Sequence, residues 1–114
     1  MNKPVTAIVY LKEELDFFGS RTFDPNALYR EVAAFAIESD GNPLHDCETV
    51  FEICNSYPQE IHCDAKYIGQ VSHYRDGQNR SLSVGDVVQI GEAAFHVDSF
   101  GFSMAIGFGQ EVSA

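Results

Sequence analysis

The sequence predicts an α+β domain, an antiparallel sheet of about three to five strands with helices mainly on one face. Three observations carry this. Val5–Leu11 is an apolar run rich in strand-favouring residues, with Pro4 before it and Lys12-Glu13-Glu14 after it. Near the C terminus, Ala94–Phe100 and Phe102–Phe108 both alternate at period two. Between these regions lie stretches whose apolar residues recur at helical spacing. Antiparallel pairing follows from the alternation, because parallel strands covered on both faces read as continuous apolar runs. The competing architecture is a small β-barrel with helical insertions, in which Val84–Phe108 wraps around a smaller core.

Taken in order, Val5–Leu11 is the first strand and is expected to be central. Leu15, Phe17 and Phe18 follow before Gly19 and are expected to cover one end of the core. Asp24-Pro25 has the form of a helix start, an acid that caps orphan amides and a proline suited to the first helical position. A helix from Pro25 to Glu38 places Leu28, Val32, Phe35 and Ala36 on one stripe, while the contiguous Val32–Ile37 run leaves a strand as the competing assignment. Ser39–Pro43 reads as a loop. Asp46 is expected to cap a short helix with Val50, Phe51 and Cys54 on its core side, ended by Asn55–Pro58. Asp64 starts another helix running to Tyr74, with Tyr67, Ile68, Val71 and Tyr74 at core spacing, and Asp76-Gly77-Gln78-Asn79 closes it.

The sheet restarts at Arg80–Gly91. Gly85-Asp86 precedes Val87, Val88 and Ile90 and is expected to form a structural turn, since glycine accepts positive φ and aspartate bonds nearby amides. Phe102, Met104, Ile106 and Phe108 then share one side of a last strand, and residues 110–114 are expected to fray. At 114 residues with 45% apolar content, residues 1–114 read as a single compact domain.

Charge is the strongest functional signal. The chain carries 17 acidic against 7 basic residues, a formal charge of −10. Residues 31–65 contain eight acids and neither lysine nor arginine. Such a field repels phosphate backbones, so direct nucleic-acid binding is disfavoured and a basic protein surface is the natural partner. Glu38, Asp40, Asp46, Glu48, Glu52, Glu60 and Asp64 are the expected contacts, with Tyr57 as aromatic anchor. Glu48 and Glu52, four residues apart, share a helix face.

Catalytic chemistry is poorly signposted. His45, Cys47, Cys54, His62 and Cys63 are residue types that suit zinc, but no C-x-x-C pair is present and adjacent His62 and Cys63 fit one ion poorly. The glycine-rich pieces match neither a P-loop nor a dinucleotide fingerprint. Arg75, Arg80 and Lys66 near the Asp76–Asn79 turn form either a small anion site or a set of turn-orienting cations. No cofactor is expected. Three cysteines and the lack of a signal-peptide pattern or a long apolar span favour a cytoplasmic protein that does not contact a membrane.

The R-S-L-S-V-G-D-V-V segment, Arg80–Val88, resembles a segment of small uncharacterised proteins encoded by bacterial phages and plasmids. Val97-Asp98-Ser99-Phe100-Gly101-Phe102 and Val50-Phe51-Glu52-Ile53-Cys54-Asn55 belong to the same resemblance, which leaves the N-terminal third unclaimed. It implies a mobile-element setting and transfers no catalytic residue. Together with the charge, it leads to the expectation of a non-enzymatic acidic interaction module, an inhibitor occupying a basic surface of a host nucleic-acid enzyme. An oligomeric scaffold pairing through the C-terminal sheet edge and a metal-dependent enzyme are the alternatives.

Overall fold

In the computed structural model, residues 2–13 and 22–109 are described. The expected cover from Leu15, Phe17 and Phe18 and the frayed end at 110–114 lie outside them. The chain forms an α+β fold with one five-stranded, wholly antiparallel sheet in the order β2-β1-β3-β4-β5. The strands are β1 (Lys3–Lys12), β2 (Tyr29–Ser39), β3 (Val87–Ile90), β4 (Ala93–Val97) and β5 (Phe102–Met104). Helices α1 (Pro43–Cys54) and α2 (Ile68–Asp76), the latter preceded by a 3-10 turn at Ala65–Tyr67, lie between β2 and β3 in sequence. With β2 and β5 at opposite edges, the sheet does not close into a barrel.

β1 is interior, as its sequence predicts, pairing with β2 on one side and β3 on the other. Alternation decides its faces. Ala7, Val9 and Leu11 turn into the core with Ala33, Phe35 and Ile37 of β2 and Val88 and Ile90 of β3. Against this face pack Cys47, Val50, Ile53 and Cys54 of α1 and Val71 and Tyr74 of α2, all fully buried. Burying a side chain the size of Val50 or Ile53 contributes about 1.5–3 kcal/mol, so this layer is the main source of stability.

The Pro25–Glu38 helix is not formed, and its competitor is. Asp24 spends its carboxylate on an Asx turn to the Asn26 amide at 2.9 Å, and Ala27 N–H bonds to Asp24 C=O at 3.0 Å. The chain then runs as β2 with Ala33, Phe35 and Ile37 inside and Ala34, Ala36 and Glu38 outside. Alanine and glutamate favour helix locally, but pairing with β1 over ten positions overrides that preference. Leu28, assigned to the buried stripe, is 64% exposed.

Helix α1 starts earlier than expected. Asn42, read as part of an interrupting loop, is its N-cap and accepts from the Leu44 amide, with Pro43 in the first turn. Asp46 is therefore not a cap. It sits inside the helix, buried, and accepts a 2.7 Å hydrogen bond from Ser39 Oγ. Asp64 does cap as predicted, accepting from Lys66 N–H at 3.0 Å, but it opens the 3-10 turn. Tyr67, Val71 and Tyr74 are buried, whereas Ile68 is 40% exposed.

The last strand is shorter than its period-two pattern. β5 ends at Met104, and Met104 and Ile106 are exposed. A turn with Phe108 N–H on Ala105 C=O carries Phe108 to the opposite sheet face, where it meets Tyr10 and Tyr29 edge-on at 4.9 and 5.3 Å. Gly107 permits this path with φ of +86°, and a Cβ there would lie 3.2 Å from Pro25 Cβ. Phe23 stacks on His96 on the same face at 4.7 Å, so one end of the sheet surface opposite the helices carries an aromatic cluster.

Candidate functional site

The Arg80–Gly91 stretch is a structural hub. Gly85 has φ of +96°, and its amide bonds to Val97 C=O at 2.9 Å. Asp86 is fully buried. Its carboxylate accepts from Arg80 Nη1 at 2.6 Å, Arg80 Nη2 at 2.8 Å, Ser83 N–H at 2.8 Å and Lys12 N–H at 2.9 Å. Arg80 adds bonds to the carbonyls of Lys12 and Ser81. This bidentate pair ties β1 to the turn before β3, so Asp86 does more than shape a turn. A fully bonded carboxylate and a guanidinium committed to it leave neither for a ligand.

The cations of the anion-site reading are each committed to groups of the protein itself. Arg75 donates to Cys54 C=O, Ser56 C=O, Asn79 C=O and Ser81 Oγ, and stacks 3.8 Å from the Tyr57 ring centroid. It thereby satisfies carbonyls at the end of α1. Lys66 pairs with Glu38 at 2.7 Å. A polar recess of about 450 Å³ does lie beside Arg80, lined also by Lys12, Glu13, Arg30, Gln78 and Asn79. Its cations are already engaged: Lys12 Nζ donates to Thr22 C=O at 2.7 Å and Arg30 approaches Glu13 at 3.6 Å.

The zinc-type residues disperse as well. Cys47 and Cys54 are buried in the core, where desolvation pushes the Cys47 thiol up to about 12 and raises Cys54 further. Cys63 is half-buried, His62 approaches Glu60 at 3.6 Å, and His45 Nδ1 lies 2.8 Å from Asp40 Oδ2. Among the described residues, no three histidine, cysteine or acidic side chains converge as a metal site.

The predicted acidic contacts divide into three groups. Asp46 is buried and hydrogen-bonded to Ser39, so it presents no charge to a partner. Glu38, Asp40, Glu60 and Asp64 are exposed but locally engaged, with Lys66, His45, His62 and the Lys66 amide respectively. Glu48 and Glu52 are exposed and form no ion pair among the described residues. Tyr57, the expected anchor, is 45% exposed, with a ring face covered by Arg75.

Glu48 and Glu52 border a groove of about 280 Å³ whose other lining residues are Phe51, Gly101 and Phe102. Positions 48, 51 and 52 are at i, i+3 and i+4 spacing on α1, which sets them on neighbouring parts of one face. Phe51 meets Phe102 of β5 edge-on, ring centroids 6.2 Å apart. The β4–β5 turn is fixed by Asp98, which accepts from Ser99 N–H and Ser103 Oγ, both at 2.8 Å, and whose own amide bonds to Gly101 C=O. The Ser103 hydroxyl and Ser99 amide hold the Asp98 carboxyl below the usual carboxylate range. At the tip, Phe100 is 95% exposed.

This aromatic floor is not legible in the sequence: Phe51 reads as a core-side residue, and it does pack against the core, but only its partly buried position beside Phe102 makes it a groove floor as well. The available signal was E-x-x-F-E, two acids flanking an aromatic on one helix face, but its opposing wall lies fifty residues away along the chain. Comparison with protein-family models, curated proteins and solved structures returns no match. Among the described residues, no helix is long and apolar enough to cross a membrane.

Proposed function

We propose that the chain is an acidic protein-interaction module that binds a basic partner surface through the face formed by α1 and the β4–β5 turn. The supporting observation is the juxtaposition of two carboxylates, Glu48 and Glu52, unpaired among the described residues, with the apolar floor of Phe51 and Phe102. Unanswered charges steer encounter and select a cationic partner, while the aromatic surface supplies the desolvated centre on which affinity depends. The partner class we infer is a nucleic-acid-handling enzyme, whose basic track the acids would occupy in place of phosphates.

The β5 edge also supports an oligomeric scaffold in geometric terms, but a net charge of −10 per chain opposes the meeting of two such faces. Affinity capture from native host lysate, read by mass spectrometry, tests the module reading. The wild-type chain is expected to recover a basic nucleic-acid-handling protein that nucleic acid displaces, and the Glu48→Lys/Glu52→Lys pair to lose it. Failure of the wild-type chain to recover such a protein at low salt overturns the reading.

A further inference from the structure

We propose that the occupant of the α1–β5 groove is an extended basic segment of the partner, which adds to the sheet as a sixth strand along the open edge of β5. This rests on the interaction-module reading and specifies how that module binds.

The hydrogen-bond pattern of β4 and β5 shows which backbone groups are available. Ala105 N–H bonds to Ala94 C=O and Asp98 N–H to Gly101 C=O, each at 2.9 Å. These bonds bracket Phe95↔Met104 and Val97↔Phe102 as non-hydrogen-bonded pairs, leaving His96↔Ser103 as the pair that exchanges bonds. The N–H and C=O groups of Phe102 and Met104 therefore point away from β4, and no hydrogen bond to them is formed among the described residues. An extended chain laid there makes main-chain bonds at two successive outward-facing residues.

The side chains say what kind of chain fits. Phe102 and Met104 share one side of β5, and Phe102 meets Phe51 of α1 there, so alternate residues of an added strand project beside that floor. Residues two apart in a strand are about 6.8 Å apart, close to the roughly 6 Å rise between helix positions four apart. Two cationic side chains in a Lys-x-Lys or Arg-x-Arg spacing match Glu48 and Glu52, and their aliphatic stems can pack on Met104, which is 65% exposed on that same side. The opposite edge, β2, is partly closed: Gln70 Nε2 donates to Ala36 C=O and Glu38 N–H donates to Tyr67 Oη, each at 3.0 Å. A second copy of this chain as occupant sets carboxylate against carboxylate, and a nucleic-acid strand sets phosphate against carboxylate.

The test uses isotope-labelled full-length protein titrated to millimolar concentration with a synthetic peptide that alternates lysine and valine. Two control peptides accompany it, one with glutamate for lysine and one N-methylated at alternate backbone amides, prepared in both phases. The lysine peptide is expected to shift the Phe102 and Met104 amide resonances. The glutamate peptide and one phase of N-methylation are expected to weaken binding by at least about tenfold. The Glu48→Lys/Glu52→Lys variant, checked for an otherwise native spectrum, is expected to do the same. Binding that the charge reversal abolishes but both N-methylated peptides retain overturns strand addition and leaves the module reading standing. The proposal also fails if Phe102 and Met104 do not shift, if the shifts map to β2, or if sedimentation shows this edge occupied by self-association.

Discussion

The turn at Arg80–Asp86 and the groove between α1 and β5 are both built around carboxylates, but among the described residues only the first has its charge answered. Asp86 is fully buried and accepts from Arg80, Ser83 and Lys12, whereas Glu48 and Glu52 stand in water with no basic partner among the described residues. A buried charge must be met by the fold, because leaving it unmet costs several kcal/mol. An exposed charge carries no such requirement and remains available for recognition. Carboxylates thus specify structure at the Asp86 turn and surface potential at the groove beside β5.

Mutation can break this contrast at its strongest point. Asp86→Ala leaves the Arg80 guanidinium and the Lys12 and Ser83 amides without their acceptor and is expected to cost about 3 kcal/mol, the lower end of the range because Arg80 is a third exposed. Urea denaturation measures the loss, and less than about 0.5 kcal/mol would show that the hub is dispensable. Gly85→Val forces a β-branched residue to φ of +96° and should cost about 2 kcal/mol, with the folded fraction keeping its partner. Unchanged melting with selective loss of binding would instead place recognition at the turn.

At the other pole, Glu48→Lys/Glu52→Lys is expected to change stability by no more than about 0.5 kcal/mol while removing partner capture. A large stability loss would mean that these acids belong to the fold after all.

The smallest effect lies at the start of α1. The hydrogen bond between Asp40 and His45 raises the histidine above its ordinary 6.5 and lowers the aspartate below its ordinary 3.8. The histidine contribution is complete below 6.5 and lost as pH rises through its elevated value. The aspartate contribution is present above 3.8 and lost as pH falls through its depressed value. The pair therefore supports the helix end most in mildly acidic solution. An NMR titration should find His45 above 6.5 and returned toward it in Asp40→Asn; an unshifted wild-type histidine would remove the effect.

Much of the architecture was legible because its signals are local. Val5–Leu11 needed only its own apolar content to read as an interior strand, and Gly85-Asp86 needed only its turn chemistry to mark the return to the sheet. Tyr29–Ser39 misled for the opposite reason. Its alanines and glutamates satisfy a helix locally, and only pairing with β1 reveals that Ala34, Ala36 and Glu38 form the outer side of a strand. Asp46 looked like a cap until Asn42 took that position and Ser39 closed over its carboxylate.

The sequence by itself determined the α+β class, the interior place of β1, the structural nature of the Gly85–Asp86 turn and the shared helix face of Glu48 and Glu52. These follow from periodicity, turn chemistry and spacing, which act over a few neighbouring residues. Tertiary structure alone decided which acids keep an unpaired charge, because Lys66, His45 and Ser39 reach Glu38, Asp40 and Asp46 only through folding. It also set Phe102 against Phe51 and turned the backbone of β5 outward, since a groove between distant segments and the open side of a strand exist only once the sheet is assembled.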